Sequence, residues 1–190
     1  NKMNTQLKKG NWKGYFSSSS FHGELYNKKI GIIGYGHIGK EIAKRAKAFK
    51  MNISPLVRNI DKYRSNKYIN FLSIKNINKE VSKFDYLIIA CPLNDETKNL
   101  VNFNLMKKMN KNSVIINIAR GPIINEADLY KVLKNKIIRA AVIDVWYNYP
   151  KNSVTKKLYP SKFPLHKLDN ITFSPHSSAW SSQLWERRFN

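Results

Sequence analysis

The sequence predicts an α/β fold, a doubly wound parallel sheet. Three observations predict it. Short apolar runs rich in Ile and Val alternate with helical stretches along most of the 190 residues. A glycine-rich turn joins the first such run to the first such helix. The alternation reads as successive βαβ units, which cover both faces of a parallel sheet and cross over right-handedly.

The elements follow in chain order. Residues 1–16 are polar with room for one short helix, and 17–20 are a serine loop. Residues 29–33 (KIGII) form a buried strand, followed by Gly34, Gly36 and Gly39. Apolar residues then recur at helical spacing through Ile38, Ile42, Ala43, Ala46 and Phe49. A second strand covers 52–57, although Pro55 sits in its middle. Residues 73–84 read as a helix with Ile74, Ile77 and Val81 on one face, and 85–90 as a third strand. A short helix at 103–109, a strand at 113–118, a helix at 126–135 and a strand at 139–145 follow. After a Pro-bearing connection at 146–170 come a sixth strand at 171–174 and a final helix. Ligands of such sheets bind at the carboxyl ends of the strands, so the residues just after each strand are the candidates.

Composition narrows the class. Hydrophobic residues make up 42% and aromatics 12%, enough for a core and too many for a disordered chain. No apolar stretch approaches the ~20 residues of a membrane helix, and the first residues show no signal-peptide pattern. A single cysteine, Cys91, excludes a disulfide framework and fits a reducing compartment, so a cytoplasmic protein is expected. The four His are scattered without metal-ligand spacing, so no metal is expected. The net charge of +22 raises nucleic acid as a partner. The Lys residues are dispersed among many Asn and Ile, however, and no nucleic-acid motif accompanies them. That pattern favours a general compositional lean over a dedicated surface.

Gly34-Tyr-Gly36-His37-Ile38-Gly39 matches G-x-G-x-x-G between a strand and an amphipathic helix, the context of a dinucleotide fingerprint. Gly34 permits the tight turn, Gly36 lets the backbone approach a pyrophosphate, and Gly39 allows close helix–strand packing. The helix N-terminus offers its free N–H groups to the phosphates. No carboxylate follows the second strand to take the ribose hydroxyls of NAD; the residues there are Leu56, Val57, Arg58 and Asn59. Arg58 suits a 2′-phosphate, which leans the reading from NAD towards NADP, unless it only covers the adenine.

Further blocks occur in order: Gly31 to Gly39 (GIIGYGHIG), Cys91 to Thr97 (CPLNDET), Asn117 to Gly121 (NIARG), Ala140 to Trp146 (AAVIDVW) and Ser174 to His176 (SPH). Together they resemble the nucleotide-binding, Rossmann-type domain of the D-isomer-specific 2-hydroxyacid dehydrogenases, a family including phosphoglycerate, D-lactate, glyoxylate/hydroxypyruvate and formate dehydrogenases. The resemblance implies hydride transfer between NAD(P) and C2 of a small 2-hydroxy or 2-oxo acid, in a homodimer. It implies that 25–178 are this domain, that 1–24 are an arm from a substrate domain, and that 179–190 begin a helix returning to it. A start at Asn1 and an uncapped last helix fit a fragment of a longer protein.

The resemblance assigns three catalytic positions. Arg120 would bind the substrate carboxylate through its planar fork. His176 would exchange the proton of the substrate oxygen. The family usually carries Glu before the proline that follows DV-aromatic; here Tyr149 precedes Pro150. A phenol is neutral at pH 7. It orients an imidazole but does not stabilise imidazolium as a carboxylate does, so reduction is expected to fade at a lower pH than with Glu. Formate dehydrogenases also depart there, carrying Gln. Among cofactor contacts, Cys91 and Pro92 would line the ribose, and Thr97 would lie near the phosphates or cap a helix. Ile118 and Ala119 would pack near the nicotinamide, and Asp144 would accept from its carboxamide. Trp146, Tyr147, Tyr149, Trp180 and Trp185 form an aromatic region suited to packing on another domain or a dimer partner, or to substrate contact. The alternative function is a non-catalytic dinucleotide-binding sensor on the same fold, which the change at Tyr149 would suit.

Overall fold

In a computed structural model, residues 2–12, 23–63, 69–152 and 157–184 are described. Seven strands form one sheet, all parallel: β1 (Lys29–Ile33), β2 (Asn52–Val57), β3 (Leu72–Ser73), β4 (Tyr86–Ile89), β5 (Val114–Asn117), β6 (Ala140–Ile143) and β7 (Ile171–Phe173). Their order is β3-β2-β1-β4-β5-β6-β7. The chain winds outwards from β1 in one direction and then from β4 in the other, so the strand order reverses between β1 and β4. That is where a doubly wound sheet opens a crevice for a ligand.

Near-continuous Ile and Val runs make the central strands because both faces are covered. On one face α2 (His37–Ala48) lies over Ile30, Ile32 and Ile88 with Ala43 and Ala46. On the other, α4 (Phe103–Met106) and α5 (Glu126–Lys134) bury Leu105, Met106, Leu129, Val132 and Leu133 against Ile33, Leu87, Ile89, Ile115 and Ile143. Asn102 and Asn125 cap these two helices, accepting from Leu105 N at 3.1 Å and Asp128 N at 3.1 Å. Such caps contribute about 1 kcal/mol each.

Three expectations are corrected. Leu72–Ser73 is a strand, not the start of a helix, and it pairs with Leu56 and Val57. The remainder of 74–84 divides into a 3₁₀ turn, α3 (Ile77–Glu80) and a second 3₁₀ turn, with Ile77, Val81 and Phe84 buried at the expected spacing. Three β-branched residues and two Asn are weak helix formers, so the buried face holds while the regular helix does not. The apolar stripe of α2 is also narrower than its spacing implies: Ile38 is 57% and Phe49 59% exposed. Pro55 is accommodated because β3 pairs only the two residues after it. Of the final helix expected over 179–190, residues 179–183 are turns and irregular chain instead, and 185–190 lie outside the described residues. At the other end, α1 (Lys2–Leu7) supplies the short helix, while the serine loop 17–20 lies outside the described residues.

Candidate functional site

The carboxyl ends of the strands carry two clusters of candidate residues. The first surrounds the glycine turn. Gly34 has φ +96, and a Cβ there would lie 2.8 Å from the carbonyl oxygen of Ala90, so the turn against β4 requires glycine. A Cβ on Gly39 would collide with the carbonyl oxygen of Gly34, which is how α2 packs so closely behind the turn. Gly36 differs from both. A Cβ there would meet no atom within 4 Å, and Gly36 borders a cavity of about 360 Å³. Its missing side chain therefore leaves open room beside the N-terminus of α2, where a pyrophosphate fits.

That cavity collects Gly34, Gly36, Arg58, Cys91, Pro92 and Thr97 from the sequence-derived set. His37, Ile38 and Gly39 stand beside it on the first turn of α2. Residues that sequence reasoning missed also line it: Tyr35, Asn59, Lys62, Tyr63, Asn94 and Leu100. Tyr35 meets Phe71 edge-on at 4.9 Å, and Phe71 stacks on Tyr63 at 4.3 Å, giving the cavity an aromatic flank. Burial, then the nearby Tyr63, pushes the Tyr35 phenol up, so it stays neutral. Arg58 and Lys62 are cations, and among the described lining residues there is no carboxylate. On the rim Arg58 pairs with Glu96 at 3.4 Å, both well exposed. Thr97 works within the loop: Oγ1 donates to Pro92 O at 2.8 Å, and its N–H donates to Asn94 Oδ1 at 3.0 Å. Cys91 is half-buried, and burial raises its thiol, so it is a neutral wall residue.

The second cluster stands at the ends of β5, β6 and β7. Fully buried Asn117 ties down the turn after β5: Oδ1 accepts from Ala119 N at 3.1 Å and Nδ2 donates to Arg120 O at 3.0 Å. Ile118 and Ala119 are thereby held inwards while Arg120 is exposed, its Nη1 donating to Ala119 O at 2.6 Å. A Cβ on Gly121 would collide with the carbonyl oxygen of Trp146, so the Arg120 turn packs directly on the loop after β6. Buried Trp146 anchors that loop: its Nε1 donates to Ser174 O at 2.8 Å and its ring stacks on Phe173 at 4.6 Å.

His176 follows β7 with φ +58, a left-handed backbone that needs support in a non-glycine residue. Asp144 supplies it. Its Oδ1 accepts from Ser174 Oγ and from Ser177 N at 3.1 Å, and its Oδ2 from Ser178 Oγ. Burial alone would raise this carboxyl. The hydrogen bonds from Ser174 and Ser178 overcome that and hold it below the usual carboxylate range. The Tyr149 hydroxyl lies 3.0 Å from His176 Nδ1 and accepts the backbone N–H of Trp146 at 2.9 Å. Tyr149 thus stands beside the imidazole, where the family resemblance puts a glutamate. A cavity of about 670 Å³ opens beside the pair, walled by Trp146, Leu158, Phe173 and Trp180. Arg120 is on the adjoining loop, and its guanidinium donates to Ala119 O rather than to the Tyr149–His176 pair. Among the described residues no group of three His, Cys, Asp or Glu is placed to hold a metal. No described helix is long and apolar enough to cross a membrane.

Comparison with known proteins adds to this geometry. Residues 1–178 match the family model of the D-isomer specific 2-hydroxyacid dehydrogenase NAD-binding domain. The chain is 36% identical over 177 residues to a D-3-phosphoglycerate dehydrogenase of Methanocaldococcus jannaschii, covering 91% of this chain and 30% of that protein. It is 37% identical over 153 residues to a glyoxylate reductase of Pyrococcus horikoshii, covering 80% of this chain and 42% of that protein. An acyclic imino acid reductase solved with NADPH and D-Arg superposes with a TM-score of 0.78 at 29% identity, over 98% of this chain and 54% of that one. The chain therefore spans between about a third and a half of the length of the curated relatives it matches.

Proposed function

Because this chain belongs to the D-isomer-specific 2-hydroxyacid dehydrogenases, as their NAD-binding domain, we propose that it is the cofactor half of an oxidoreductase. The reaction would move a hydride between the nicotinamide of NAD(P) and C2 of a small 2-hydroxy or 2-oxo acid such as glyoxylate or hydroxypyruvate. The observation that carries the reading is the arrangement along one sheet edge. The glycine turn and its cavity stand over β1, β2 and β4, and Arg120 and His176 stand over β5 and β7.

The dinucleotide, when bound, supplies or accepts the hydride. The residues that would hold it are Gly34, Gly36, His37, Ile38 and Gly39 at the phosphates, Arg58 at the adenosine ribose, and Cys91, Pro92 and Thr97 along the wall. Ile118, Ala119, Arg120, Asp144 and His176 would face its nicotinamide end. Arg120 fits the substrate carboxylate, because guanidinium keeps its charge and offers paired donors. His176 exchanges a proton with the substrate oxygen, and Tyr149 and Asp144 hold the ring and its loop. NADP is the favoured form, supported by Arg58 and Lys62 at a cavity with no lining carboxylate among the described residues. The reading includes residues 1–24 and 179–190 as links to a substrate domain, and a cytoplasmic homodimer. Unpaired Cys91 and Trp180, 78% exposed, support it.

The test is titration of this chain with NADPH and NADH, followed by Trp-to-nicotinamide energy transfer, then assay of the full-length protein with glyoxylate and hydroxypyruvate. Saturable binding, tighter for NADPH, with turnover is expected. Binding without turnover would favour a dinucleotide sensor, and no binding would defeat both.

A further inference from the structure

We propose that Tyr149 is the proton donor to His176. It fixes the imidazole as the Nε2–H tautomer and refills the ring through Nδ1 when a substrate oxygen takes the Nε2 proton. This rests on the 2-oxo acid reduction proposed above and specifies how that site is protonated.

The phenol has one hydrogen and two neighbours. A backbone amide only donates, so at 2.9 Å from Trp146 N the Tyr149 oxygen is the acceptor. Its own hydrogen is then free for Nδ1 at 3.0 Å, and among the described residues nothing else accepts it. Nδ1 therefore accepts, and the neutral ring carries its hydrogen on Nε2. A carboxylate in this place has no hydrogen and would accept from Nδ1–H. The tyrosine thus reverses the direction of the hydrogen bond that sets the tautomer.

The reversal changes the chemistry. As C2 gains a hydride, the carbonyl π pair moves to oxygen, and that oxygen takes the Nε2 hydrogen. The imidazole would be left as an anion, a costly state. Instead Nδ1 takes the phenolic hydrogen, and the O–H bonding pair stays on the phenolate oxygen, facing the Trp146 N–H. The ring ends neutral as the Nδ1–H tautomer; after the product leaves, Nε2 of exposed His176 takes a proton from water and Nδ1 returns its hydrogen to the Tyr149 oxygen, which restores the starting tautomer. An alkoxide is far more basic than a phenolate, whose parent titrates near 10, so the transfer runs downhill. No positively charged imidazole is needed, so the early loss of reduction expected from the sequence does not follow. The reverse reaction lacks a free Nε2 lone pair at the start, so the pair is built for reduction.

Few other groups bear on its titration. The described residues of the cavity that the pair borders include no further titratable side chain. On the packed loops, Asp144 has both oxygens engaged by Ser174, Ser177 and Ser178, and the Arg120 guanidinium donates to Ala119 O. Tyr147, raised by burial and then by Glu126, donates to Ile124 O and stays neutral.

The experiment uses the intact protein with ¹⁵N-labelled histidine and reads the ring tautomer by long-range ¹H–¹⁵N correlation. Wild type is expected to show Nε2–H with a bare Nδ1, and Tyr149→Glu the reverse; Nδ1–H in wild type overturns the proposal. The second arm is the alkaline limb of NADPH-driven reduction of glyoxylate and hydroxypyruvate. Wild type should stay active towards the phenol range, roughly pH 9–10, and Tyr149→Gln should fall off in the imidazole range, roughly pH 6–8. Gln keeps an acceptor for Trp146 N–H but has no proton to give, so a purely structural role would leave the limb in place. At pH 8 Tyr149→Gln should lose about 100-fold in kcat, with the Kd for NADPH unchanged. Coincident limbs overturn the relay. Cofactor binding with no turnover of either acid defeats the reduction reading and the relay with it, while the tautomer spectrum still decides the direction of the hydrogen bond.

Discussion

Replacing Asp144 by Asn tests how the His176 loop is held. The carboxylate takes hydrogen bonds from two serine hydroxyls, from Ser177 N at 3.1 Å and from Ser178 N at 3.3 Å. Hydrogen bonds to an ion contribute about 1.5–3 kcal/mol each and neutral ones about half that. Asn also turns one acceptor into an N–H that faces donors. A loss of about 2–4 kcal/mol follows, allowing for relaxation of the loop. At about 2–4 °C per kcal/mol for a domain of this size, Tm should fall by roughly 4–16 °C. The sign with pH is fixed as well. The Asp144 carboxyl is lowered in the folded state, so its contribution is complete above the unfolded value near 3.9 and is lost as pH falls through the lower folded one. Thermal unfolding followed by circular dichroism from pH 7 down to pH 3 should show a wild-type advantage that is constant to about pH 5 and then narrows. Equal Tm values at pH 7, or a gap that does not narrow in acid, would refute the assignment of Asp144 as the clamp.

Three further outcomes are expected. Gly36→Ala adds a methyl where no protein atom lies within 4 Å, so Tm should change by under ~2 °C while the Kd for NADPH rises at least about tenfold, in the energy-transfer titration. Glu96→Gln removes the counter-ion of Arg58 at an exposed pair, which should tighten NADPH about two- to fivefold at low salt, leave NADH unchanged, and lose its effect at high salt. Asn117→Ala unties Ala119 N and Arg120 O, and steady-state kinetics should show KM for the 2-oxo acid rising more than kcat falls, with about 2–4 kcal/mol of stability lost.

Much of the fold was legible because its signals are local. A buried parallel strand announces itself as an unbroken Ile/Val run, and the glycine turn announces itself by the fixed spacing of its three residues, Gly34 and Gly39 where a Cβ would collide and Gly36 where the space is open. Leu72–Ser73 was not legible, since a two-residue strand exists only through its pairing with Leu56 and Val57. The segment after it kept its buried spacing but not its helix, because Asn and β-branched residues leave regularity to tertiary packing. In the site, Gly36, Arg58 and Thr97 were readable from motif and position. Lys62 and Tyr63 come from a 3₁₀ turn with no pattern of its own and reach the cavity only through tertiary packing. Tyr149 was visible as a departure from a family pattern, but the direction of its hydrogen bond depends on the Trp146 amide, which no sequence displays.

Trp146 gives the sheet edge a division of labour. Its carbonyl seats the Arg120 turn through Gly121, its indole holds the strand end before His176, and its amide engages Tyr149. The groups proposed to grip the acid and move its proton therefore shift as one unit when anything disturbs this loop. Arg58, Lys62 and Glu96 hang from turns after β2 and β4 at the far end of the same edge. On the proposed reading, substitutions at Arg58 or Lys62 would exchange one nucleotide for the other without retuning the proton chemistry. On that reading, a lineage carrying this fold could change its reductant while the groups that move the proton stay as they are.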